Sequence, residues 1–168
     1  IWGLVPSPGW DGLTDWDGFV PFEELPSIFN PASGRIVNAN NNITPKDYPH
    51  FLSFDWSPGY RAKRILGVLD VGDQSVHSTA KLQQDHVSEM ALHLLPMMLD
   101  IEPSNDRDEK ALAMLGKWKG RMSRGRPEPL IFSTWLYELN RAVYADELGG
   151  TFLHGVVLRS DGQYYGVG

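Results

Sequence analysis

Asn30-Pro31-Ala32-Ser33-Gly34-Arg35-Ile36-Val37-Asn38-Ala39-Asn40-Asn41-Asn42 is the stretch on which the assignment of this chain turns. Two turn signals, Asn-Pro and Ser-Gly, precede a short apolar run, Arg35-Ile36-Val37, which leads into four asparagines within five residues. Asparagine is poor strand material, but it tolerates left-handed backbone and carries an amide donor. The pattern predicts a short strand that delivers several carboxamides at its end, polar without added charge. Amide N–H groups aimed at developing negative charge are what acyl-transfer chemistry requires. The alternative is an Asn-rich turn that bonds only to itself, and turn asparagines are common enough to keep it open.

Outward from this stretch the chain has two characters. Residues 1–60 hold eight of the twelve prolines and four of the six tryptophans, with seven acidic and two basic residues. That mixture predicts strands and loops over 1–57. Gly9-Trp10-Asp11-Gly12 and Asp15-Trp16-Asp17-Gly18 read as consecutive turns, and Glu23-Glu24-Leu25-Pro26 as a short helical turn. From Pro58 the period becomes helical, giving a mostly helical part over 58–148. A first helix is expected over 59–69, with Ile65, Leu66 and Leu69 on one side. A second runs from an N-cap at Ser78 to about Leu95, where Pro96 bends or ends it, with Leu82, Met90 and Leu94 as its buried stripe. Asp106 caps a third, reaching about Met122, and a fourth spans 130–148 with Ile131, Trp135, Leu139 and Val143 inward. Strands are expected over 151–167, on either side of the turn Ser160-Asp161-Gly162. The whole reads as one α+β unit in three parts.

Bulk composition excludes several classes. The 168 residues are 42% hydrophobic and 21% charged, ordinary for a globular domain with a real core. A net charge of −6, a pI near 5.3 and no basic block argue against a nucleic-acid partner. No apolar run approaches the roughly 20 residues of a membrane span. The absence of cysteine excludes disulfides and thiolate catalysis. The opening Ile1-Trp2-Gly3-Leu4-Val5-Pro6 resembles neither an initiator sequence nor a signal peptide, so the chain reads as an internal piece of a longer polypeptide.

Conventional chemical motifs are sparse. Asp11, Asp15 and Asp17 lack EF-hand spacing and read as a turn cluster. His50, His77, His86, His93 and His154 form no tight metal-binding pair. There is no Gly-x-Ser-x-Gly elbow and no phosphate-binding glycine loop, and Ser33 sits in a turn. Asn42-Ile43-Thr44 matches a glycosylation sequon, a triplet that also arises by chance. Arg61 stands out because it opens a helix, where the macrodipole mildly disfavours a cation. Either its fork holds a carbonyl or carboxylate at a site, or it pairs with a nearby aspartate.

The motifs Trp10-Asp11-Gly12, Asp15-Trp16-Asp17-Gly18-Phe19-Val20-Pro21-Phe22, Leu25-Pro26, Asn30-Pro31-Ala32-Ser33-Gly34, Asn38-Ala39-Asn40-Asn41, Asp47-Tyr48-Pro49 and Arg61-Ala62-Lys63-Arg64-Ile65 occur in this order. Together they resemble the penicillin acylase (penicillin amidase) family of N-terminal nucleophile hydrolases, in a central part of the catalytic β-subunit. The likeness continues more weakly through Leu82-Gln83-Gln84-Asp85, Leu115-Gly116-Lys117-Trp118 and Ile131-Phe132-Ser133-Thr134-Trp135, and fades beyond Leu148. The resemblance implies part of an αββα sandwich and an autoprocessed, periplasmic or secreted parent. It implies a serine nucleophile at the start of the β-subunit, whose α-amine acts as base and whose attack on a linear amide gives an acyl-enzyme. It further implies that Asn40 is the oxyanion-hole asparagine and Arg61 the active-site arginine, with Asn38 and Asn41 positioning Asn40 or bonding nearby backbone.

Partners implied in the same way are a small-molecule amide substrate, the α-subunit and the nucleophile-bearing start of the β-subunit. No catalytic cofactor is implied; the family's structural calcium ligands fall mostly outside this segment. Ile1 is not the nucleophile, and Trp118-Lys119-Gly120 departs from a Trp-Asp-Gly common among relatives, a change expected to be structural. A different class of function is an aromatic-rich ligand-binding or interaction module, in which Trp2, Trp10, Trp16 and Trp56 stack on a ligand such as a glycan. Against it stands the expectation that these tryptophans anchor loops by packing on the helices.

Overall fold

A computed structural model of the chain describes residues 6–153, 156–158 and 164–166, with side chains described up to Asp146. Five helices follow an extended amino-terminal arm: α1 (Tyr60–Leu69), α2 (Val76–Gln83), α3 (Glu89–Leu99), α4 (Asp106–Leu115) and α5 (Pro127–Leu153). Two short strands, β1 (Val156–Leu158) and β2 (Tyr164–Gly166), pair antiparallel with Val157 opposite Tyr165.

The hydrophobic core lies where α3, α4 and α5 meet. Ala91, Leu95 and Met98 of α3, Leu115 of α4, Trp118 of the connection that follows it, and Phe132 of α5 are buried in one cluster. Ala91, Leu95 and Met98 follow the i, i+4, i+7 rule for one helix face. Trp118 packs its ring 5.6 Å from that of Phe132 and donates its indole N–H to Arg121 O at 2.9 Å, so its polar edge is satisfied. Gly120, in the departure noted above, has φ 71°, and a Cβ there would meet Leu92 at 3.0 Å. Lys119 between them is exposed, so the Trp-Lys-Gly sequence forms a tight corner under α3.

Several expectations are corrected. The arm contains no strand among its described residues: Ile36 is exposed, and no neighbouring chain completes a ladder with 35–37. A strand exists only where a partner takes its N–H and C=O groups, and a suitable side-chain pattern cannot supply one. Only the single 3-10 turn Phe22–Glu24 is regular, close to where a helical turn is expected. The long second helix is two helices. Ser75, not Ser78, is the N-cap of α2; its hydroxyl accepts from Ser78 N–H while Ser78 Oγ accepts from Ser75 N–H, a closed capping box. Ser88 then caps α3 by accepting from Ala91 N–H. Between them the chain is extended because His86 O and Ser88 N–H are taken by Met122 N–H and Gly120 O, at 2.9 and 2.8 Å. Pro96 does not end α3, which continues one turn to Leu99 with Met98 buried in the core.

Asn105 rather than Asp106 caps α4, accepting from both Arg107 N–H and Asp108 N–H, and α4 stops at Leu115. The fourth expected helix begins earlier, at Pro127, where a missing N–H costs nothing, and runs on through Leu153, into residues read as strand. Its inward residues are Phe132, Ile131, Trp135 and Leu136, whereas Leu139 and Val143 are exposed. The turn 160–162 lies outside the described residues. The paired strands are confined to three residues each, so the described residues are mostly helical and contain no pair of packed sheets.

Candidate functional site

The asparagine cluster is a folded turn docked ahead of α1. Asn38 Oδ1 accepts from Asn40 N–H at 3.0 Å, Asn41 Oδ1 from Ala39 N–H at 3.1 Å, and Asn42 Oδ1 from Thr44 N–H at 2.8 Å. These three side chains satisfy local backbone, as a self-bonded turn does. Ala39 is buried beneath them.

Asn40 behaves differently. Its φ of 62° lies in the left-handed region, which asparagine adopts more readily than other residues with a Cβ. That twist turns its carbonyl onto Ser57 N–H, 2.8 Å away, and so ties the turn to the residues that start α1. Its side chain reaches across 21 positions to accept a hydrogen bond from Arg61 Nη1 at 3.3 Å. A guanidinium has donors only, so the amide atom that faces it is the oxygen. The Nδ2 group then points its two hydrogens elsewhere and has no partner among the described residues.

Arg61 stands in the first turn of α1, whose N-cap, Gly59, gives no side-chain cap. No carboxylate pairs with Arg61 among the described residues, so its partner is the Asn40 carboxamide rather than the aspartate weighed above. Structure thus brings together the two residues named from the sequence. A neutral amide with its oxygen bound to a cation is a polarised donor, since electron density drawn toward Oδ1 leaves the N–H hydrogens more positive. Such a group can stabilise a negative oxygen at close range.

One turn farther along α1, Arg64 makes a two-pronged bond with Asp85, Nε to Oδ1 at 3.0 Å and Nη2 to Oδ2 at 2.7 Å. Asp85 Oδ1 also accepts Val87 N–H at 3.0 Å. The hydrogen bond from Arg64 holds the Asp85 carboxyl below the usual aspartate range, and the same bond raises the guanidinium's pKa. A groove of about 440 Å³ opens beside this pair, lined by Arg61, Ile65, Leu82, His86, Met90 and Met122 among others. Arg64 and Asp85 lie within sequences quoted above, yet nothing in their spacing signals the pairing; it depends on where the 84–88 segment lands.

Other candidates resolve into structure. Asp11 accepts Leu13 N–H at 3.0 Å, as a turn aspartate does. Ser33 Oγ donates to Arg35 O at 3.2 Å. His50 pairs with Glu24, His86 bridges Gln84 O and Ser123 Oγ, and the His93 ring lies 6.1 Å from that of Tyr60. Among the described residues no group of three or more His, Asp or Glu side chains is placed to hold a metal ion. Two tryptophans of the arm do not pack on the helices as expected: Trp10 is 88% and Trp16 98% exposed, while Trp56 is half-buried and Trp2 lies outside the described residues.

Comparison with known proteins gives consistent matches. The family model described as penicillin amidase matches residues 2–165. The acyl-homoserine lactone acylase QuiP of Pseudomonas syringae pv. tomato is 32% identical over 161 residues, covering 88% of this chain and 20% of that protein. The penicillin acylase 2 proenzyme of a Pseudomonas species is 32% identical over 146 residues, covering 85% of this chain and 19% of its own. Penicillin G acylase of Escherichia coli is 41% identical over 68 residues, 39% of this chain and 8% of that enzyme. The chain therefore spans about a fifth of the length of the first two relatives.

Proposed function

The chain belongs to the penicillin amidase family, and we propose that it is the oxyanion-stabilising segment of an amidohydrolase that cleaves linear amide bonds. The observation that carries this reading is the Arg61–Asn40 contact, which occupies Oδ1 and leaves Nδ2 without a partner among the described residues. In the proposed reaction a serine hydroxyl attacks the amide carbonyl, its proton passing to the α-amine of the same residue. An α-amine has an ordinary pKa near ~8, suited to taking that proton near neutral pH. As the C–O bond forms, the carbonyl π electrons move onto oxygen, and Asn40 Nδ2 donates to that oxyanion. Collapse expels the amine, protonated by the α-ammonium, and leaves an acyl-serine that water hydrolyses by the same steps. The serine comes from a segment outside residues 1–168, in a parent with the αββα sandwich of its class, exported to the periplasm or beyond. No cofactor takes part.

Relatives named as acyl-homoserine lactone acylase and penicillin acylases support an acylated amine as the substrate class. In the full-length parent, Asn40→Ala is expected to lower kcat by about 10²–10³, the typical loss for one oxyanion donor. Circular dichroism should be unchanged, and an unchanged kcat would overturn the assignment. Purified residues 1–168 should leave phenylacetyl amides and acyl-homoserine lactones intact, and hydrolysis by them alone would show that the nucleophile lies within the chain.

A second reading draws on the near-complete exposure of Trp10 and Trp16, which suits stacking on a glycan as well as cover by further protein. Quenching of tryptophan fluorescence by oligosaccharides, with no amidase activity in the parent, would favour it.

A further inference from the structure

The Asn40–Arg61 contact is exposed and long, and a bond of that kind does not hold its own geometry. Arg61 must be placed by its helix. Yet α1 buries only Ala62 fully, and its N-cap offers no side-chain bond. Beside the Tyr60–His93 ring contact, the directional anchor of this end of α1 is Arg64, three residues and one turn beyond Arg61, through its fork on Asp85. The Asp85 side chain is 15% exposed, and its second bond, from Val87 N–H, ties it to an extended segment. That segment is bonded in turn to Gly120 and Met122, beside the core. Glu89, as buried as Asp85, makes longer contacts, 3.8 Å from Arg64 and 3.4 Å from Lys63.

We infer that Asp85 is a positioning residue for the Asn40 donor, acting through Arg64 and the first turns of α1 on Arg61; this rests on the oxyanion role given to Asn40. Asp85 acts on the helix rather than on the reacting atoms. It fixes the rotation and height of α1 against the core, and thereby the direction in which Arg61 holds the carboxamide oxygen. A displacement near 1 Å at a reacting centre can cost about 10²-fold in rate, so loosening this anchor is expected to appear in turnover.

A double-mutant cycle in the full-length parent tests the inference, with kcat, KM and thermal midpoint read for each variant. Asp85→Asn keeps the shape and the Val87 bond but removes the charged fork. It is expected to lower kcat by roughly 10–100-fold and leave KM within about twofold. On the Asn40→Ala background the same change is expected to lower kcat no further, because the donor it positions is gone. A merely structural role would reduce both backgrounds alike. Arg64→Lys, which keeps charge and bulk but not the fork, carries the same cycle should Asp85→Asn fold poorly. If Asn40→Ala leaves kcat unchanged, the oxyanion reading fails. If Asn40→Ala lowers kcat while the anchor variants have no effect, or an equal effect in both backgrounds, the inference alone fails. Loss of folding in both anchor variants would also overturn it, making the pair purely structural.

Discussion

At position 40 two demands meet in one residue. The backbone needs a residue that tolerates φ 62°, and the proposed chemistry needs a neutral amide donor. Asn40→Asp separates them in the full-length parent. Aspartate accepts the left-handed backbone and still presents an oxygen to Arg61, but it has no N–H to give and adds negative charge. Turnover is expected to fall at least as far as for Asn40→Ala, about 10²–10³, with the thermal midpoint retained. Asn40→Val should lose stability as well, by roughly 1–2 kcal/mol for left-handed backbone, measured by chemical denaturation. Composition alone leaves two readings of the asparagines, and in the structure the four side chains do not behave alike. Asn38, Asn41 and Asn42 bond the local backbone, while Asn40 reaches Arg61. Which of the four does so depends on a partner 21 residues away, and only the resemblance to known acylases singled it out.

At the scale of elements, the helical period made the helices legible, whereas both expected N-caps, Ser78 and Asp106, gave way to Ser75 and Asn105, and long-range bonds set the rest. The break between α2 and α3 is invisible in the helical pattern because its cause lies at 120–122, where Gly120 and Met122 take up the backbone of 86–88. Gly120→Ala tests how strongly that corner is held. The left-handed φ and the 3.0 Å approach to Leu92 together predict a loss above the roughly 1–2 kcal/mol of backbone strain alone, read from urea unfolding. The Arg64–Asp85 pair predicts a pH dependence of stability. Because the folded carboxyl has its pKa lowered by Arg64, the pair's contribution is fully present above the unfolded aspartate value, near 3.9. It is lost as pH falls from there through the lowered value. Asp85→Asn should therefore reduce the thermal midpoint at pH 7 and converge on the parent as the solution is acidified below pH ~4.

As a whole molecule the chain exposes far more surface than a compact monomer of its mass. Its accessible area is 13532 Å², against about 8,300 Å² expected from the size scaling of folded monomers. Much of the excess is apolar: Trp10, Leu13, Trp16, Phe19, Phe22 and Phe29 are all at least 82% exposed. Apolar side chains exposed in this number belong against other protein, in keeping with a chain that spans a fifth of its relatives' length. Residues 1–168 in isolation are expected to bind 8-anilinonaphthalene-1-sulfonate and to self-associate in sedimentation. Trp16→Ser with Phe19→Ser should reduce both without altering helix content.

The bond from Ser57 N–H to Asn40 O joins two bodies that keep different time. Helices α3 to α5 share the buried core, so their amides should exchange with deuterium only through large openings. The arm over 6–56 has few backbone bonds, four of them within turns, and most of its amides should exchange within the dead time of the measurement. Ser57 is expected to be the slow exception ahead of α1. Arg61 is carried by a helix and Asn40 by the arm, and the donor geometry is renewed each time the arm settles back through the Ser57 amide, the Arg61 guanidinium and the Arg35–Asp70 ion pair.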